Sequence, residues 1–225
     1  MKNAILTIVL VALSATTIFA QDRDRDQVRD QDRLMLVDGD VLQIRDRDQV
    51  RLQDRVTLND GTVLNTDGTY QTKEKKKLKL QNGQCLDMNG VMYQNEHQYR
   101  QMVQKENKGL TKEQVQERNQ NRSHYMLVDG EVIQIQNQSQ LRLQNQIKLG
   151  NGTVVNPDGS YQTQQKKQLR LQEGECLNMD GEMFKNTYQH RKKIAKKNKL
   201  NKKNKLNKKA NKKNKVNKKT MKKGN

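Results

Sequence analysis

Two short clusters in the chain carry the residue types that soft-metal or thiol chemistry needs. Cys85-x-x-Met88-x-x-x-Met92 recurs as Cys176-x-x-Met179-x-x-x-Met183, and a thiolate with two thioethers is a donor set suited to Cu(I). The spacing argues against a shared site, because Cys85 and Met88 point to opposite faces of a regular strand. Methionine is also ordinary core filling. Packing is therefore the preferred reading, with no metal and no cofactor, and a periplasmic Cu(I)-binding protein is the alternative. The two cysteines, one per cluster, can form a disulfide between Cys85 and Cys176, pair between chains, or stay as buried thiols. The sequence leaves these three open.

Other site chemistries find less support. His97, His124 and His190 fall outside the strand-rich stretches, and serine is confined to Ser14, Ser123, Ser139 and Ser160. No nucleophile comes with a base and an orienting partner, so no catalytic residue is assigned and the protein is read as a non-enzyme. The acids before glycine, Asp38, Asp60, Asp67, Asp129, Asp158 and Asp180, lack the alternating ligand spacing of a Ca²⁺ loop and read as turns.

Charge is the strongest functional signal, and it is unevenly placed. The formal net charge is +19. Residues 192–225 hold 17 lysines and no acid: Lys192, Lys193, Lys196, Lys197, Lys199, Lys202, Lys203, Lys205, Lys208, Lys209, Lys212, Lys213, Lys215, Lys218, Lys219, Lys222 and Lys223. Residues 21–191 are left near neutral. A flexible polycation binds polyanions by releasing their counterions, so lipopolysaccharide, anionic lipid, acidic polysaccharide and extracellular DNA are the candidate partners. Beyond residue 191 there is no arginine or aromatic side chain, so sequence-specific readout of nucleic acid is not offered.

The elements that must position these residues are written twice. Residues 35–93 align without a gap to 126–184, an offset of 91, with roughly 33 of 59 positions identical. Within each copy the apolar residues alternate, as in Val50-Arg51-Leu52 and Val56-Thr57-Leu58, broken only at Asp54. The period of two predicts a strand from Val50 to Leu58, copied from Leu141 to Leu149. Asn156-Pro157-Asp158-Gly159, Asn89-Gly90 and Asp180-Gly181 suit tight turns. Each copy is thus expected to be a meander of five to six short strands. Residues 94–124 lose that period, and Thr111 with Gln114 has capping-box spacing, which predicts one or two short exposed helices.

At the start, Met1-Lys2-Asn3 precedes an apolar run from Ala4 to Ala20, the pattern of a secretory signal peptide over 1–20. Residues 21–33 alternate acid and base and read as a solvated linker. The expected organisation is then β repeat 1 over 34–93, a helical or disordered connector over 94–124, β repeat 2 over 125–184 and a Lys/Asn-rich tail over 185–225. The apolar residues Leu200, Leu206 and Val216 do not fall on one helical face, so the segment from Lys192 onward is expected to be disordered when free.

The copies of VDG-x-V-x-Q, NGT-V-N-x-DG-T/S-Y and L-x-x-G-x-C-L-x-M-x-G resemble an uncharacterised repeat domain of exported proteins in Gram-negative bacteria. The resemblance covers 35–93 and 126–184. It implies a small β domain and a periplasmic, surface or secreted location, and it brings no activity and no site residues. The fold expected is mainly β: two tandem antiparallel meanders, a short helical connector and a disordered basic tail.

Overall fold

The computed structural model describes residues 32–120 and 122–200. The expected signal peptide, linker residues 21–31 and tail residues 201–225 lie outside them. Each repeat opens with a hairpin set by two turn residues. Asp38 and Gly39 have φ of 49° and 78°, and Asp129 and Gly130 have 50° and 78°. Two successive positive φ values give the turn whose twist matches paired strands. These turns join β1 (Arg33–Val37) to β2 (Asp40–Arg51) and β9 (Ser123–Val128) to β10 (Glu131–Arg142).

After the hairpin each chain segment leaves for a small separate sheet. β3 (Val56–Thr57), β4 (Val63–Leu64), β5 (Thr69–Gln71) and β6 (Lys77–Lys79) form one, and β11 (Ile147–Lys148), β12 (Val154–Val155), β13 (Ser160–Gln162) and β14 (Gln168–Arg170) the other. The strand expected over Val50–Leu58 is therefore two strands, divided around the bend at Asp54. The interruption has a partner: the Leu52 amide donates to the Val132 carbonyl at 2.8 Å, and the Leu143 amide to that of Val41 at 2.7 Å. Each repeat ends in a short hairpin, β7 (Cys85–Asp87) with β8 (Met92–Tyr93), and β15 (Cys176–Asn178) with β16 (Met183–Phe184).

The two repeats are interlocked. All four hairpins join one eight-stranded antiparallel sheet in the order β16-β15-β1-β2-β10-β9-β7-β8. β1 pairs with β15 of repeat 2, and β9 with β7 of repeat 1. β2 and β10 meet at the centre, where Asp46 lies opposite Asn137. Asp46 and Asn137 are 91 residues apart, as are Leu42 and Ile133, which pair with Arg142 and Arg51. An approximate two-fold axis therefore passes through this pair.

Cores follow the same exchange. Leu34, Leu36 and Val41 pack with Leu149, Val155, Tyr161, Leu171 and Leu177 of repeat 2. Tyr125, Leu127 and Val132 pack with Leu58, Leu64, Tyr70, Leu80 and Leu86 of repeat 1. Each such leucine contributes roughly 1.5–3 kcal/mol by leaving water. Alternate residues of the same strands face the other way: Met35, Val37, Leu42 and Ile44 gather with Cys176 and Phe184, and Met126, Val128, Ile133 and Ile135 with Cys85. The molecule is thus layered, with small sheets on one face of the central sheet and helices on the other.

Those helices are α1 (Glu96–Glu106), α2 (Lys112–Gln120) and α3 over residues 187–200. Asn95 caps α1 by accepting from the Gln98 amide at 3.0 Å, and Asn186 does the same for Gln189 at 3.0 Å. The Thr111–Gln114 capping box forms in both directions. The connector helix α1 is not merely an exposed spacer, since Glu96, Tyr99, Arg100 and Val103 are buried. Helix α3 carries the front of the lysine-rich segment because His190, Arg191 and Ile194 are buried beneath it. Among the described residues no helix is long and apolar enough to cross a membrane.

Candidate functional site

At the two-fold axis, between the central sheet and helices α1 and α3, lies a cluster of five charged side chains that are 0% exposed: Arg33, Asp46, Glu96, Arg100 and Arg191. β1 supplies Arg33, β2 Asp46, α1 Glu96 and Arg100, and α3 Arg191. Arg33 Nη1 donates to Asp46 Oδ2 at 2.6 Å and its Nη2 to Glu96. Arg100 Nη2 reaches Glu96 Oε1 at 2.7 Å and Asp46 Oδ1 at 3.1 Å. Arg191 donates from Nε to Glu96 Oε2 at 2.7 Å and from Nη2 to Asp46 Oδ2 at 3.0 Å. Neutral amides complete the set: Asn137 and Gln140 accept from Arg100, and Gln49 from Arg191.

Burial by itself raises the Asp46 and Glu96 carboxyls, but the three guanidiniums outweigh it and hold both below the ordinary carboxylate range. Removing one partner from such a cluster strands a buried charge, at a cost of about 3–5 kcal/mol. The sequence pattern does not disclose this cluster. Arg33 falls at the end of the mixed-charge stretch that reads as a linker, yet it is a fully buried strand residue. The available signal is the retention of Asn95, Gln98 and Arg100 as Asn186, Gln189 and Arg191 in a stretch where most other positions differ.

A third carboxyl, Asp32, sits beside the cluster; burial pushes it up to about 6. His124 and His190 are core residues; His124 lies on a strand, which corrects its placement outside the strand-rich region, while His190 lies on helix α3. His124 belongs to β9 and stacks on Tyr99 with ring centroids 4.3 Å apart, and His190 meets the Phe184 ring edge-on at 5.0 Å. Burial pushes both imidazoles down to about 3. His97 instead contacts Glu173 at 2.9 Å, and Glu173 accepts from the Asp38 and Gly39 amides of the first hairpin turn.

The structure does not bring the soft donors together. Cys85 packs on the helix face of the central sheet, Met88 borders the core on the opposite face, and Met92 is exposed. Cys176, Met179 and Met183 divide in the same way. The candidate bridge between Cys85 and Cys176 is not formed: both are buried free thiols on β7 and β15, five strand positions apart. That separation is roughly 24 Å at about 4.8 Å per strand, far beyond disulfide reach. Burial raises the Cys85 thiol well above its ordinary value and the Cys176 thiol to about 12. Among the described residues no three His, Cys, Asp or Glu side chains are grouped to hold a metal.

The turn acids are occupied locally. Asp60, Asp67 and Asp158 accept from Thr62, Thr69 and Ser160, two residues on in each case. Of the lysine candidates, Lys192, Lys193, Lys196, Lys197 and Lys199 lie on α3. Lys192 pairs with Asp129 at 2.8 Å, Lys193 with Glu182 and Lys199 with Glu131 at 3.2 Å. The remaining candidates, from Lys202 to Lys223, lie outside the described residues.

A surface cleft of about 940 Å³ opens between the end of the β1–β2 hairpin, the end of β10 and the α1–α2 turn. Its wall carries lysines, glutamines and aliphatic side chains, including Lys105, Lys108, Leu110, Arg142 and Gln144. Its acids are already engaged, Asp40 with Arg142 at 2.7 Å and Asp38 with Gln101 at 2.5 Å.

Fold and site together define a protein made of two copies of one small β domain, clasped through a shared sheet and a shared ionic core. The profile of the Domain of unknown function (DUF6799) family matches residues 31–92 and 122–183, more than half of the chain. The chain belongs to that family. Comparison with curated proteins and with solved structures returns no match.

Proposed function

We propose that the protein is an exported, non-enzymatic envelope or secreted protein whose interlocked β body presents a lysine-rich segment to polyanionic surfaces. The observation that carries this reading is the rooting of that segment. His190, Arg191 and Ile194 are buried in the core, while Lys193, Lys196, Lys197 and Lys199 on the same helix are exposed. The start of a segment that holds 17 lysines is thereby fixed to a near-neutral body. The apolar run from Ala4 to Ala20 supports export.

The test is a chain ending at Leu200 against the full chain, after processing, titrated with lipopolysaccharide, DNA and an acidic polysaccharide across a salt series. This truncation keeps Arg191 and Ile194 and removes 12 lysines. The full chain is expected to bind with affinity that falls steeply as salt rises, and the truncated chain to bind roughly tenfold or more weakly with a shallower slope. Equal binding by the two chains would reject the proposal. The ranking among the three polyanions identifies the surface.

A further inference from the structure

The ionic core is shared unequally between the repeats, and the offset of 91 shows how. Repeat 1 supplies Arg33, Asp46, Glu96 and Arg100, two cations and two anions. The equivalent positions of repeat 2 are His124, Asn137, Thr187 and Arg191, all buried, with one cation and no anion. Asp32, a further acid of repeat 1, corresponds to Ser123. Every acceptor of Arg191 in the cluster, Glu96, Asp46 and Gln49, comes from repeat 1.

We propose that repeat 1 is self-complementary and repeat 2 is not: the face that repeat 1 turns toward repeat 2 also fits a repeat 1 from another copy of this chain. The geometry is two-fold, so the same strand pairings and apolar contacts are available to two identical halves. What differs is charge. Two copies of repeat 1 bury four guanidiniums with four carboxylates; the two Asp46 side chains would then lie opposite each other where Asp46 now faces Asn137, and an Arg100 from each copy, which now bonds both Asp46 and Asn137, would bridge them. Two copies of repeat 2 bury two Arg191 side chains with no carboxylate. Uncompensated buried charge of that kind is not tolerated in a packed core. The substitutions at 124, 137 and 187 therefore make repeat 2 a dedicated receiver for repeat 1 and leave repeat 1 able to accept its own kind.

Full-length tandem chains test this without isolating either half. In one, residues 122–200 are replaced by a second copy of 31–109; in the other, 31–109 are replaced by a second copy of 122–200. The first is expected to fold with the strand signal and cooperative unfolding of the natural chain. The second is expected to be unfolded at neutral pH, and to regain structure when aspartate and glutamate are restored at positions 46 and 96. A protease site is then placed at Gly109, which is exposed with open space around it. Cleavage there should leave the two pieces of the first chain, each with one copy of 31–109, together as one particle on gel filtration. The proposal is overturned if the second chain folds as well as the first, if the first fails to fold, if restoring the two acids has no effect, or if the cleaved halves separate.

Discussion

Arg33, Asp46, Glu96, Arg100 and Arg191 place charge where His124 and His190 must stay neutral, and this sets how stability depends on pH. Both imidazoles are pushed from 6.5 to about 3 by burial. The unfolded chain therefore takes up protons below about pH 6.5 that the folded chain refuses, and stability falls as pH falls. Asp32 acts in the opposite sense, because its folded-state value near 6 lies above 3.8 and the folded chain keeps a proton the unfolded chain releases. Between about pH 5 and 6 the balance is one proton, or about 1.4 kcal/mol lost per pH unit on acidification. Below that window Asp46 and Glu96, held low by the guanidiniums, steepen the loss. Urea unfolding across pH 4 to 7 should show this slope, and His190→Gln should bring it close to zero between pH 5 and 6. A natural chain equally stable at pH 4.5 and 6.5 would contradict the neutral buried histidines.

At the scale of elements, glycines separate local turn geometry from the packing of one repeat on the other. Gly68 and Gly159 have φ of +84° and +86°, and a Cβ there would meet Leu127 at 2.8 Å and Leu36 at 3.0 Å, each on the opposite repeat's hairpin. Gly39 has φ +78° with nothing within 4 Å. Gly39→Ala should then cost only the backbone term of about 1–2 kcal/mol, and Gly68→Ala that term plus about 1–3 kcal/mol of overpacking. Equal losses in thermal unfolding would mean that the small sheet does not press on the hairpin of its neighbour. The turns themselves were legible, because Asp-Gly pairs and the Thr111–Gln114 box act within a few residues. The exchange of strands was not. The apolar run Met35-Leu36-Val37 is satisfied equally by pairing with β7 of its own repeat or β15 of the other, and near-identical copies make the two choices look alike. Arg33 was hidden for a related reason: its mixed-charge neighbours suggest solvent, and its partners Asp46 and Glu96 lie 13 and 63 residues away.

For the whole molecule, the consequence of exchange is that neither repeat owns a complete core. A tandem of independent β units would unfold in steps, one repeat surviving damage to the other. Here Leu177 of repeat 2 packs with Leu34 and Leu36 of repeat 1, and β1 needs β15 as its outer neighbour in the sheet. The ionic cluster adds a second bond between the halves, since the acids that pair with Arg191 among the described residues, Glu96 and Asp46, both come from repeat 1. Loss of either half thus exposes both apolar faces of the shared sheet and strands buried charge at once, which is the condition for all-or-none unfolding. Thermal unfolding followed by calorimetry and by tyrosine fluorescence should give one coincident transition, with calorimetric and van't Hoff enthalpies in agreement. Leu177→Ala should move that whole transition, at a cost of about 2–5 kcal/mol, including the signal from Tyr70 and Tyr93 in repeat 1. A residual transition at the natural temperature after that substitution would mean that repeat 1 holds together alone, and that the shared sheet is an association of finished domains rather than the means by which each is completed.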